Sequence, residues 1–134
     1  MRSLKIADHL VTYPITIASN ATIGEAARVI IENKVSGVIV LNEQNEVEGM
    51  LSELDCLRSL LGEIYNEGEV GKASVSAEMT TPVVTSKPDE DIISVAQNML
   101  AQKQRRRPVI KNGKLVGQVT CRQLLSALVA FGKT

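Results

Sequence analysis

Ser52 and Asp55 are spaced so that one turn of helix can carry a hydroxyl and a carboxylate side by side. They close the stretch Gly49-Met50-Leu51-Ser52-Glu53-Leu54-Asp55, after which Leu57, Leu60, Leu61 and Ile64 follow at helical spacing. A Ser or Thr followed three residues later by Asp or Glu, ahead of an apolar run, is a capping-box pattern: the hydroxyl satisfies an orphan N–H of the first helical turn. The same pair supports a second chemistry. A hydroxyl where a strand hands over to a helix can face a phosphate, and an ionised carboxylate, which only accepts, suits two vicinal hydroxyls of a ribose. The stretch has an echo 68 residues on, Gly117-Gln118-Val119-Thr120-Cys121-Arg122-Gln123, with Thr120 and Gln123 at the paired positions. Arg105-Arg106-Arg107 is the other concentration of charge. Alone, it reads as a solvated face, or as cations complementing the negative end of a helix.

Other chemistries find no residues. The sequence contains no nucleophile–base pair, no cluster of His, Asp and Glu, no phosphate-binding glycine loop and no metal-ligand spacing. His9 is a lone histidine and reads as a surface or hinge residue. Cys56 and Cys121 begin apolar helical patterns, where a thiol behaves as a small hydrophobe. The reading is therefore non-enzymatic, with neither metal nor cofactor.

Charge is unevenly placed. The formal net charge is zero, yet residues 1–91 hold all 15 acids and 7 of the 15 Lys and Arg, while residues 92–134 hold 8 bases and no acid. That polarity suits a bound anion or an acidic partner surface. Nucleic acid is disfavoured, because three aromatic residues, Tyr13, Tyr65 and Phe131, make no stacking platform and no duplex-recognition motif is present. The longest apolar run, Ala127–Phe131, is far short of a membrane span, and the first residues have no signal-peptide pattern, so a soluble cytoplasmic protein is expected.

The elements that must position these residues come in two copies. Ile23, Ala26, Ala27, Ile30 and Ile31 mark the core stripe of an amphipathic helix, and Ile92, Val95, Ala96, Met99 and Leu100 repeat it 69 residues later. Thr22 with Glu25, and Asp91, are their start signals. An extended segment with a proline precedes each helix: Tyr13-Pro14-Ile15-Thr16-Ile17 and Thr81-Pro82-Val83-Val84-Thr85. A hairpin follows each helix, the second turning at Asn112-Gly113. Then come second helices, with Leu57, Leu60 and Leu61 matched by Leu125, Leu128 and Val129. The chain of 134 residues thus reads as an α/β (α+β) fold of two tandem β-α-β-β-α repeats, residues 1–66 and 67–134. A repeat of about 60 residues has little core of its own, so the two are expected to bury their sheets against each other with pseudo-two-fold symmetry.

The sequence resembles a tandem pair of CBS domains, the regulatory repeat named after cystathionine beta-synthase, as a free-standing, bacterial-type module. Pro82-Val83-Val84, Lys34-Val35-Ser36-Gly37, Arg106-Arg107-Pro108-Val109-Ile110 and Gly49-Met50-Leu51-Ser52-x-x-Asp55 carry the resemblance, through their order and duplication. Two departures stand out. Ile39 occupies the place of the proline seen at Pro108, a change expected to be cosmetic, and Gln123 occupies the place of an Asp.

The resemblance implies two clefts between the repeats that bind adenosine-containing ligands. One takes Ser52 and Asp55, with Val83, Val84, Arg105, Arg106 and Pro108 from the second copy. Val83–Val84 would offer backbone groups to an adenine edge, and the arginines charge-assisted bonds to phosphate. The other takes Thr120 and Gln123 with Pro14, Ile15, Ser36 and Gly37. It has a neutral amide for the ribose and no cation for a phosphate, so weak or absent binding is expected. The implied function is a sensor of AMP, ADP or ATP that signals to an unidentified partner, and the resemblance also implies homodimerisation through helical faces. The competing reading is a structural dimerisation module without a ligand.

Overall fold

A computed structural model describes residues 4–131; the outermost residues of the expected repeats, 1–3 and 132–134, lie outside the described residues. In chain order it contains a 3₁₀ turn (Ile6–His9), β1 (Thr16–Ala18), α1 (Ile23–Asn33), β2 (Gly37–Leu41), β3 (Val47–Ser52) and α2 (Glu53–Tyr65). Then follow α3 (Val75–Glu78), α4 (Ile92–Gln102), β4 (Arg106–Lys111), β5 (Lys114–Thr120) and α5 (Cys121–Phe131). Packing divides the described chain into two units, residues 15–83 and residues 4–14 with 84–131.

In the unit of residues 15–83, Thr22 starts α1 as its sequence predicts: its hydroxyl accepts from the Glu25 N–H at 3.1 Å, and Glu25 reaches back to the Thr22 N–H at 3.2 Å. The sheet runs β1-β2-β3, with β1 parallel to β2 and β2 antiparallel to β3. Ile23, Ala26 and Ile30 of α1 pack on Val38 and Val40 of β2 and Leu51 of β3. Alternation sends Ile39 to the other face of β2, where it is fully buried as well.

In the unit of residues 4–14 and 84–131, Asp91 caps α4 by accepting from the Ile93 and Ser94 N–H groups. Ile92, Val95 and Met99 meet Val109, Val119, Leu124 and Ala127 in the core. The helical stripes are narrower than expected: Ile31 is 73% exposed, and Leu100, its counterpart, 81%. Cys56 and Ser59 are the buried residues of α2, Leu124 and Ala127 those of α5, while Leu57, Leu61, Leu125, Leu128 and Val129 are exposed.

The first strand of the second copy is reduced to one bridging residue. Ser86 donates its N–H to the Pro108 carbonyl at 3.0 Å and accepts from the Ile110 N–H at 2.8 Å. In the first sheet, this kind of pairing is extended on both sides by Ile39 N–H to the Ile15 carbonyl, 3.2 Å, and Ser19 N–H to the Leu41 carbonyl, 2.9 Å. The residues 69 positions after those two donors are Pro108 and Pro88, which have no N–H to give. The Ile39/Pro108 difference, expected to be cosmetic, therefore decides how much strand forms.

Each copy lends its leading segment to the other copy's sheet. Val75, Ser76 and Thr80 bond Ala21, Ser19 and Met50, whereas Ile6, Ala7 and Val11 bond Glu90, Pro88 and Gln118. Ile6 and Val75 are both fully buried at equivalent places in the two cores. The crossings need glycine beneath them. A Cβ on Gly117 would lie 2.7 Å from the Val11 carbonyl oxygen, and one on Gly49 would lie 2.4 Å from Met79 Sδ.

Candidate functional site

The Ser52–Asp55 pair is a complete capping box. Asp55 N–H donates to Ser52 Oγ at 3.1 Å, and Ser52 N–H donates to Asp55 Oδ2 at 2.9 Å. The start of α2 is also tied to the entry of β2, by Glu53 N–H to the Ser36 carbonyl at 2.9 Å, and Gly37 pairs across from Ser52. Asp55 Oδ1 takes one bond, from Arg58 Nη1 at 3.3 Å. The Asp55 side chain is 13% exposed and that of Arg58 71%, so this is a surface pair of small worth. A carboxylate offers about four acceptor positions. Capping therefore fixes Asp55 and leaves acceptor capacity, so the two readings of this pair are compatible. Beside it, burial first and the Asp55 charge second push the Cys56 thiol above its ordinary range.

The start of α5 repeats the arrangement with neutral groups. Cys121 N–H donates to the Arg105 carbonyl at 3.0 Å, and Arg106 pairs across from Thr120. Gln123 N–H donates to Thr120 Oγ1 at 3.4 Å, and the Thr120 hydroxyl donates to Gln123 Oε1. The amide oxygen is thereby engaged with its own cap. Gln123 has less left for a ligand than Asp55 has.

The residues named from sequence divide between the packing units. Ile15, Ser36, Gly37, Ser52, Asp55 and Val83 stand in one; Pro14, Val84, Arg105, Arg106, Pro108, Thr120 and Gln123 stand in the other. The chain passes between units at Pro14–Ile15 and Val83–Val84, the second of which is the pair expected to meet an adenine edge. Val84 and Arg105 are exposed, Arg106 is half-buried and Pro108 is buried.

The third arginine of the run behaves differently from its neighbours. Strand alternation turns Arg107 to the α4 side of β4, where it is 3% exposed. Its Nε donates to Gln104 Oε1 at 2.9 Å, its Nη1 to Ser86 Oγ at 3.4 Å and its Nη2 to Asn98 Oδ1 at 2.5 Å. Gln104 Nε2 in turn donates to the Val84 carbonyl at 2.9 Å, the acceptor that Pro108 cannot serve. Burial pulls the Arg107 pKa below the ordinary guanidinium value, and nearby Glu90 opposes that shift. In the first copy the four corresponding residues are Ile17, Val29, Val35 and Val38, all apolar and all in or against the core. A polar network of four thus replaces an apolar cluster of four. Aligning the copies residue by residue exposes this exchange; reading Arg105–Arg107 as a single run conceals it.

Among the described residues no group of His, Cys, Asp and Glu could hold a metal ion, and no helix is long and apolar enough to cross a membrane. The model of the CBS domain matches residues 6–62 and again residues 73–130. The chain is 32% identical over 115 residues to the CBS domain-containing protein YhcV of Bacillus subtilis, covering 85% of this chain and 78% of that one. It is also 32% identical over 114 residues to the uncharacterized protein MJ1225 of Methanocaldococcus jannaschii, with 85% of this chain covered but only 39% of that protein's length spanned. In fold it is similar to the CBS domain pair of protein MJ0100, crystallised with 5′-methylthioadenosine and S-adenosyl-L-methionine: TM-score 0.79, 27% identity, 96% of this chain and 98% of the other covered. The two matched segments account for nearly all of the sequence, and each carries its own strand–helix junction, Ser52–Asp55 in one and Thr120–Gln123 in the other; the chain belongs to the CBS domain family, as a tandem pair.

Proposed function

We propose that this chain is a regulatory module of the cytoplasm that binds an adenine nucleotide, AMP, ADP or ATP, with residues of both repeats and signals its presence to a protein partner. Asp55 accepts from the ribose hydroxyls, the Val83–Val84 backbone meets the adenine edge over Pro108, and Arg105 and Arg106 take the phosphate with Ser52 beside them. The observation that carries the reading is the Asp55 carboxylate, which its cap fixes in place and leaves with acceptor positions to spare. The adenosine ligands of the MJ0100 pair support it. Phosphate is argued from the arginines alone. Pro14, Ile15, Ser36, Gly37, Thr120 and Gln123 form the weaker set.

Thermal unfolding with a nucleotide panel tests the proposal. A ligand at about a hundred times its dissociation constant stabilises the fold by about 2.7 kcal/mol. For a domain of this size the midpoint should rise by several degrees. The exposed leucines of α2 and α5 favour a second reading, a dimerisation module without a ligand. No shift with millimolar AMP, ADP or ATP would select it.

A further inference from the structure

We infer that Gln104, oriented by Arg107, is a positioning residue that sets base selectivity, an inference that rests on the nucleotide reading above. Arg107 has only donors, so the Gln104 amide must turn Oε1 toward it, and Nε2 then faces the Val84 carbonyl. Ser86 and Asn98 fix the guanidinium in turn. The Val84 carbonyl is thereby held through one of its two lone pairs, with the other left to accept. A fixed acceptor rewards a base that brings a donor, the 6-amino group of adenine, and penalises one that brings an oxygen, the 6-oxo group of hypoxanthine. A loosely held peptide plane could turn either group outward and would discriminate less. In the first copy no side chain has this role: Val35 stands in the place of Gln104, and the corresponding Ile15 carbonyl is held by a backbone N–H, that of Ile39, which no side-chain substitution can remove. Four polar residues built around one buried guanidinium, that of Arg107, are costly to keep satisfied, so a role beyond packing is the better account of them.

Calorimetric binding of AMP and IMP to the full chain provides the test. Wild type should prefer AMP. Gln104→Glu keeps the side-chain volume and pairs with Arg107, but presents only acceptors to Val84. It should remain folded, as a thermal melt checks, while the AMP/IMP affinity ratio falls about tenfold, the upper worth of one neutral hydrogen bond. The added negative charge repels both nucleotides equally and cancels in the ratio. Gln104→Asn, one methylene too short to bridge, should lower the ratio in the same way. Asp55→Asn should weaken both ligands and leave the ratio alone. A wild type that prefers AMP, with an unchanged ratio in both Gln104 variants, overturns this inference and spares the nucleotide reading. So does a wild type that binds both ligands equally. A wild type that binds neither, and whose melting temperature ADP and ATP also leave unmoved, overturns both.

Discussion

One carboxylate oxygen of Asp55 belongs to the helix, and the other is held, among the described residues, only by an exposed arginine. This division lets stability and binding be separated by substitution. Asp55→Asn retains an acceptor for the Ser52 N–H but loses charge and acceptor capacity, so α2 should stay capped. AMP affinity should nevertheless drop by about 1.5–3 kcal/mol, the worth of hydrogen bonds to a charged group. Gln123→Ala should alter AMP binding far less, because its amide oxygen is occupied by Thr120. Calorimetry on the two variants decides; equal losses would remove the proposed asymmetry between the two sets of residues. At this scale the sequence was readable where a side chain's partner lies three residues away, as in both capping boxes. It was not readable for Arg107, whose three partners come from positions 86, 98 and 104 and meet only after β4 and α4 pack.

Elements show how far a repeat can drift while keeping its order. The helices and hairpins follow the periodicity closely, since apolar spacing and turn residues are local signals. Two features escaped it. The loss of one strand traces to Pro88 and Pro108, whose effect depends on which N–H would have been opposite. The outward turn of Leu57 and Leu61 depends on which face α2 presents to its neighbours, and an apolar stripe on either side of the helix has the same period. The glycines under the crossings give a prediction at this scale. Gly117→Ala drives a methyl into the Val11 carbonyl, part of a backbone held by two hydrogen bonds, and should cost about 1–3 kcal/mol. Gly49→Ala first meets the flexible Met79 side chain, which can swing away, and should cost less. Denaturant melts that rank the two in the opposite order would show that Thr80, 3.1 Å from the same methyl, is the harder obstacle.

For the whole molecule, Leu54, Leu57, Leu61 and Ile64 recur along α2 at spacings of three and four, and all are more than half exposed. Such a stripe has the geometry of a helix-packing seam, and Leu125, Leu128 and Val129 give α5 an exposed apolar face of its own. A homodimer formed through these faces is expected. Sedimentation should find a dimer for wild type and a monomer for Leu57→Glu combined with Leu61→Glu, while a monomeric wild type would leave the stripe to another protein. The exchange of leading segments has a further consequence, set by the direction of synthesis. Val11 cannot meet Gln118, nor Ile6 the Glu90 carbonyl, until the ribosome has made those later residues. At elongation rates of about 5–20 residues per second, the segment Ile6–Val11 stays without its partner for on the order of 5–20 s. The first repeat can close as soon as Thr80 is available; Ile6 and Val11, made before it, are placed after it.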